Sequence, residues 1–554
     1  MIITPESRRA DPYRHAVRSA YLADETATVE QLLAEAASDQ GHQSAVARTA
    51  SGLVEHVRNH RVEQGGVDAL LHEYDLSSKE GVVLMCLAEA LMRVPDSGTA
   101  NRLIQDKITA GNWEAHLGHS ESIFVNASTW GLMLTGRVVR FDERTTSDLS
   151  GTMRRMVQRS GEPVIRRAIR HAMRIMGRQF VIGRDIREAL KRAREDEAHG
   201  YRHSFDMLGE AARTAADAER YDASYRSAIQ AIARAGQGRD VLEAPGISVK
   251  LSALHPRFET GQFHRTRDIL VERLGHLAEM ARDADMNLCV DAEEADRLDL
   301  SLDVIEAVAS DRSLAGWQGF GLAVQAYQKR AAPLIDWLVA LAERHDRRLM
   351  VRLVKGAYWD SEVKRAQEAG HPDYPVFTRK ATTDVSYLAC ARRMLRAGPE
   401  RIYPQFATHN AHTIAWVMHE AGDAPYEFQR LHGMGEALYQ PLVAPEHGPA
   451  YPVRIYAPVG SHEELLPYLV RRLLENGANS SFVNRIQDED LPVAEMVADP
   501  VTTVAGLHNK PHPRIPLPER LYGEQRRNAR GVNLADRLVL EPLGQAMDTA
   551  AREA

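Results

Sequence analysis

A chain of 554 residues exceeds one ordinary domain, and 44% hydrophobic against 26% charged content matches a water-soluble globular protein. A formal net charge of −7 gives nucleic-acid binding no compositional support. Cys86, Cys289 and Cys390 are far apart with no CxxC pair, which argues against a disulfide framework or a thiolate metal site and fits a reducing cytoplasm.

Residues 1–60 read as a polar helical arm, with apolar residues at helical spacing in "ETATVEQLLAEAA". The first residues contain no apolar core of a secretion signal, and no apolar run in the chain is long enough to span a bilayer. A cytoplasmic protein is expected, with peripheral contact at the inner face of the cell membrane left open. Residues 61–145 read as a compact helical α domain, in which Ser77 and Ser78 followed by Glu80 give a helix-start signal. A polar helical linker follows over 146–200; its basic stretch reads as a solvated face.

From 201 to 485 short apolar runs alternate with helical stretches. The runs are 203–208, 246–254, 287–294, 320–327, 349–356, 403–410, 427–434 and 453–460. Such alternation predicts βαβ units and a parallel sheet, and eight of them fit an α/β fold of the (βα)8 barrel type. A doubly wound open sheet is the rival, but "GWQGFG" at 316–321 is not GxGxxG and no GxxxxGK[ST] occurs. Residues 486–554 form a polar, Pro-rich tail ending in a predicted helix at 540–553.

In such a barrel the chemistry gathers at the C-terminal strand ends. Those ends carry Lys250; Asp291 and Glu293; Gln325; Arg352 and Lys355, with Tyr358 and Trp359 beyond; Thr408, His409 and Asn410; His432; and Tyr456. A lysine within an apolar strand is costly without a partner, which favours a functional role for Lys250. Asp291 has two readings, a site residue or half of a capping box with Glu294. His409 and His412 have metal-like spacing, but no HExxH and no nearby cysteine accompany them, so hydrogen bonding is expected and no metal. Arg352 lies between Val351 and Leu353 and points to the opposite face, into the barrel mouth. The Gly356–Ala357 turn permits close approach by a phosphate.

The stretch "SHEELLPYLVRRLLENGA" predicts a helix after the eighth strand, with Ser461 three residues before Glu464 and Gly477 near its end. Leu466, Leu469, Val470, Leu473 and Leu474 form one apolar stripe, and Tyr468, Arg471, Arg472 and Glu475 a second stripe beside it. On an isolated helix the arginines read as a solvated face. Over a barrel mouth they could instead clamp a carboxylate.

Beyond these patterns, "SVKLSALHPRF", "DAEEADRLDLSLDV", "QAYQKR", "MVRLVKGAYWDSEVKRAQ", "YPQFATHNAHT", "FQRLHGMGEALY" and "RIYAPVGSHEELLPYLVRRLLENGANSSFVNRI" together resemble the proline dehydrogenase portion of the proline utilization A family. The resemblance covers about 60 to 545. It implies a distorted (βα)8 barrel whose last helix sits over the mouth, FAD as cofactor, oxidation of L-proline to Δ1-pyrroline-5-carboxylate, and transfer of electrons to a membrane quinone. On this resemblance Arg471, Arg472 and Lys250 would pair with the proline carboxylate, while Tyr456, Tyr468 and Leu431 would shape the ring pocket. Tyr358 and Glu475 would support the clamp and border the cofactor, and Asp291 would stand beside both substrate and flavin. Arg352 and Val354 would lie near flavin N5 and Gln325 at the pyrimidine edge. Lys355, Gly356, Ala357, Trp359, Thr408, His409 and Asn410 would hold the rest of FAD. Nothing at 1–60 resembles the DNA-binding segment of many relatives, so no nucleic-acid partner is expected. The aldehyde dehydrogenase portion of longer relatives is expected to be absent. Another amino-acid oxidoreductase on the same barrel, and a scaffold or DNA-binding regulator, are the alternatives.

Overall fold

A computed structural model describes residues 11–59, 181–444, 450–460, 482–486 and 490–553. Eight parallel strands close in chain order: β1 (Tyr201–Met207), β2 (Gly246–Val249), β3 (Leu288–Val290), β4 (Phe320–Gln325), β5 (Leu349–Val354), β6 (Ile402–Ala407), β7 (Glu427–Leu431) and β8 (Val453–Val459). β8 pairs with β1 in the register Ser204↔Tyr456, and this closure rules out the open-sheet rival. Every expected apolar run overlaps a strand, though β1 and β6 begin before their runs and several strands end early. Run 246–254 stops as a strand at Val249, and beyond Lys250 its buried end folds as the short helix Leu251–Leu254.

Three arm helices come first: α1 (Pro12–Ser19), α2 (Glu25–Ala36) and α3 (Gln40–Asn59). α4 (Ile186–Ala198) leads into the barrel. Its helical layer is α5 (Ala215–Gly236), α6 (Phe263–Asp283), α7 (Leu298–Ala309), α8 (Ala331–Arg344), α9 (Trp359–Ala369), α10 (Lys380–Arg396), α11 (Ala411–Ala421) and α12 (Glu436–Val443). α13 (Arg537–Glu553) closes the tail, three residues longer at its start than expected. The expected α domain, most of the linker, and the arginine helix lie outside the described residues.

Strand alternation separates two environments. Outward residues such as Phe205, Ile247, Val249, Leu288, Val351, Leu353, Phe406 and Ile455 are buried against the helices and form the hydrophobic core. Bulky aliphatic residues usually fill a barrel interior. Here the inward positions include Ser204, Asp206, Ser248, Arg352, Gln405, Glu427, Gln429 and Arg454, all buried. At the barrel floor Glu427 Oε1 accepts from Arg454 Nε at 2.8 Å, Gln405 Nε2 at 2.8 Å and Gln429 Nε2 at 2.9 Å. Gln429 Oε1 in turn accepts from Arg352 Nε at 2.7 Å, which ties the floor to the mouth.

The arm is fastened by charge. Arg14 Nη2 donates to Asp299 Oδ1 at 2.8 Å and Asp303 Oδ1 at 3.1 Å on α7, and Arg18 Nε reaches Asp299 at 3.1 Å. Arg537 of α13 pairs with the same two aspartates, so both ends of the described chain converge there. Burial alone would raise the Asp299 pKa, but Arg14, Arg18 and Arg537 outweigh it and hold it far below the usual carboxylate range.

Farther along the arm, Glu25 accepts from Thr378 N at 2.9 Å and Thr378 Oγ1 at 3.0 Å, and burial pushes its pKa up to about 7. Its folded pKa exceeds the unfolded value, so the folded state binds more protons between about pH 4.5 and 7, and stability falls as pH rises through that window. Glu25→Gln removes this penalty. Relative to the parent, its thermal stability is expected to rise with pH from 5 to 8, reaching a gain on the order of 1–3 kcal/mol. A difference that stays flat across that range in calorimetric scans contradicts the assignment.

Candidate active site

β3 ends by placing Asp291 at the mouth, its N–H donated to Val249 O at 2.9 Å. The capping-box reading fails: Glu294 precedes the 3-10 turn Ala295–Arg297, which has no side-chain cap bond. Asp291 instead collects donors from other strands. Its Oδ1 accepts from Arg352 Nη1 at 2.6 Å, and its Oδ2 accepts from Tyr456 OH at 2.6 Å and Lys250 Nζ at 3.1 Å. Lys250 Nζ also reaches Asp206 Oδ1 at 2.8 Å and Tyr456 OH at 3.3 Å. Arg352 completes its set with Ser248 Oγ at 2.8 Å and lies 5.0 Å from the centroid of the Tyr456 ring.

Two carboxylates and two cations thus balance inside a buried cluster. Burial would raise the Asp291 pKa, but Lys250 and Arg352 outweigh it and hold it low, so it stays ionised. Burial pushes Asp206 up, and Asp291 adds to the push against Lys250. Lys250 would be lowered by burial, but Asp206, Tyr456 and Asp291 lift it well above its ordinary value. It remains an ammonium group and cannot serve as a general base at neutral pH. Burial keeps Tyr456 a protonated phenol. The three donors of Lys250 all face Asp206, Asp291 and Tyr456, so a ligand carboxylate would have to share or displace one of them.

The rim residues lie along the strand ends. Gln325 Oε1 accepts from Gln328 Nε2 at 2.6 Å. Val354 ends β5, and Lys355 pairs with Asp384 of α10. Gly356 has φ +133°, and a Cβ there would run into the Tyr327 ring, so only glycine fits. α9 starts after exposed Ala357 and half-buried Tyr358 with no side-chain cap, leaving its first amides to an anion or water. The Trp359 indole N–H is committed to Phe377 O at 2.8 Å. Thr408 Oγ1 accepts from Asn410 N at 3.1 Å, and Asn410 Oδ1 caps α11 through Thr413 N at 3.0 Å. His409 Nε2 accepts the Leu431 N–H at 3.2 Å. His409 and His412 do not converge: His412 is buried 3.9 Å from Asp499. Among the described residues no group of His, Cys, Asp and Glu could hold a metal. Tyr468, Arg471, Arg472 and Glu475 lie outside the described residues.

Other strand-end expectations sort differently. Glu293 turns away from the cluster and caps the turn at Ser252 N, 3.0 Å away. His432 follows β7, and burial beside Arg430 lowers its pKa to about 3, so it is neutral. Sequence reading missed Asp206, Ser204, Ser248 and Gln429. All four sit two residues from another inward-facing polar or charged group (Ser204 with Asp206, Ser248 with Lys250, Gln429 with Glu427), and applying alternation to every strand would have found them.

The groups at the mouth are of the kinds that a flavin dinucleotide would need. The uncapped start of α9 offers amides to a pyrophosphate, and Arg352 and Gln325 supply polar groups for a ring, while Gly356 makes room for the Tyr327 ring and not for a ligand. Replacing Asp291 by Asn removes the anion shared by two buried cations. Its expected cost is about 3–5 kcal/mol in urea unfolding; an unchanged midpoint contradicts the central position of Asp291.

Three family models match the chain. The model for proline dehydrogenase matches residues 189–485. One described as the DNA-binding domain of proline dehydrogenase matches 66–180, and the proline utilization A proline dehydrogenase N-terminal domain matches 11–58. The bifunctional protein PutA of Klebsiella aerogenes is 52% identical over 564 residues, covering 99% of this chain and 42% of that protein. Its Salmonella typhimurium counterpart is 53% identical over 554 residues, covering 96% of this chain and 41% of that protein. A crystal structure of a mutant PutA from Bradyrhizobium japonicum superposes with a TM-score of 0.73 at 49% identity, covering 94% of this chain and 52% of that one. The chain spans about half the length of these relatives, or less.

Proposed function

The chain belongs to the proline dehydrogenase family, and on that premise we propose that it oxidises L-proline to Δ1-pyrroline-5-carboxylate with FAD and passes the electrons to a membrane quinone. This would be the first step of proline catabolism towards glutamate. The observation that carries the reading is the cluster at the mouth, where Asp291 holds Lys250, Arg352 and Tyr456 in one buried, charge-balanced array.

In this reading Arg471 and Arg472, with Lys250, hold the substrate carboxylate. Bidentate guanidinium contacts suit a carboxylate, and fixing it fixes C5 of the ring. Tyr456, Tyr468 and Leu431 enclose the ring, and Tyr358 and Glu475 steady the clamp. FAD would be held by Gln325, Arg352, Val354, Lys355, Gly356, Ala357, Trp359, Thr408, His409 and Asn410. When bound, FAD would supply at N5 the acceptor for the hydride lost from proline C5. The substrate nitrogen must be neutral at that moment. Lys250 is held protonated, and burial beside Arg430 lowers the His432 pKa to about 3, which leaves it too weak a base to take a proton from an ammonium. Neither is a suitable base, and loss of the amine proton to water before binding meets the requirement. Asp291 keeps Lys250 and Arg352 oriented while remaining an acceptor itself.

Among the described residues no helix is long and apolar enough to cross a membrane. In this reading the quinone is met from the surface, by a cytoplasmic protein touching the inner face of the membrane. No nucleic-acid partner is proposed: the net charge is −7, and the DNA-binding name attaches to the family model matched by residues 66–180.

FAD-loaded protein should reduce a soluble quinone analogue when given L-proline, and no turnover overturns the proposal. Arg471→Met and Arg472→Met should each raise the proline KM roughly 10–100-fold, as expected for loss of a charge-assisted contact. An unchanged KM refutes the clamp.

A further inference from the structure

Arg330 is buried, yet its hydrogen bonds go to neutral acceptors. Its Nε donates to Gln328 Oε1 at 2.8 Å, its Nη2 donates to the Ala295 carbonyl, and the guanidinium lies 4.0 Å from the centroid of the Tyr21 ring. Burial pulls its pKa down, with Tyr21 opposing, but a guanidinium stays charged at any pH the protein meets.

This arrangement has one polarity. Arginine is a donor only, so Gln328 must face it with Oε1. Gln328 is left with Nε2, which donates to Gln325 Oε1 at 2.6 Å. Gln325 therefore has its carbonyl taken, and Nε2, with two hydrogens, is the end of its amide not committed to the relay. All three side chains are buried, so water does not scramble the order. Tyr21, between α1 and α2, covers the root of the relay, which brings the arm into the support of the site.

We propose that Arg330 and Gln328 are positioning residues that force Gln325 to present an N–H donor to the cofactor, never a carbonyl. The proposal rests on the reading that FAD binds here with its pyrimidine edge at Gln325. That edge offers two carbonyl oxygens as acceptors and N3–H as a donor. An amide locked as a donor selects a carbonyl oxygen. Both oxygens gain negative charge on reduction, so a donor there favours the reduced ring, and hydrogen bonds to the more charged form stabilise it. The relay thus raises the reduction potential of the bound flavin.

The test is a double-mutant cycle read as the two-electron midpoint potential of FAD-loaded protein. In Gln328→Glu the new carboxylate accepts from both neighbours, so the Gln325 amide turns and presents its oxygen. The expected result is about a tenfold loss in preference for reduced over oxidised flavin, a fall of about 30 mV. In a Gln325→Leu background the same substitution should move the potential little. An equal shift in both backgrounds means a through-space charge effect and overturns the relay, as does no shift in either. If Gln328→Glu does not fold, Gln328→Met, neutral and of similar length, serves in the same cycle with a smaller fall expected. A parent protein that takes up no FAD refutes the flavin reading and the relay together. A parent that binds FAD and turns over proline, but whose potential ignores position 328, overturns the relay alone.

Discussion

Asp291 is the anion around which the barrel mouth is organised. Its two oxygens take donors from Arg352, Tyr456 and Lys250, residues on three other segments of the barrel. Burial alone would protonate it, and the two cations prevent that. The dependence is mutual, since neither cation would tolerate the interior without an acceptor. Through Arg352 the order continues down the axis to Gln429, Glu427 and Arg454. The outward strand faces supply cohesion by apolar burial, while the inward faces supply orientation. A barrel filled with aliphatic side chains would keep the first and have nothing to aim at a ligand.

Much of this was legible in the sequence, for a physical reason. Parallel strands buried on both sides are short apolar runs, and a polar residue at the end of such a run stands out. That is how Lys250, Asp291, Arg352 and Tyr456 were singled out. The pairing among them was not legible. Asp206 and Lys250 are 44 positions apart, and Asp291 and Tyr456 are 165 apart, so local patterns cannot join them. The Asp291–Glu294 spacing suits a cap as well as a site residue, and only the barrel decides between the two. Glu293 and His432 stand at strand ends too, but one caps a turn and the other follows its strand as a neutral ring. Asp206 was inside a recognised run, and its register opposite Ser248 gives it a place on the inner wall.

The arm is part of the same construction. Asp299 and Asp303 of α7 gather Arg14 and Arg18 from the first helix and Arg537 from the last. Glu25 braces the loop at Thr378, next to the Phe377 carbonyl that receives the Trp359 indole. Tyr21 covers Arg330. Segments matched by separate family models, 11–58 and 189–485, therefore meet around the supports of one site. The polar arm sequence gave no hint of this, because its anchoring arginines look like the solvated charges of any amphipathic helix.

The account's central claim is that the array around Asp291 prepares this barrel to bring proline against a flavin. Anaerobic addition of L-proline to FAD-loaded protein, with no electron acceptor present, tests it most directly. The account predicts that the visible flavin absorption is lost. A bound flavin whose spectrum is unchanged by excess proline would contradict it.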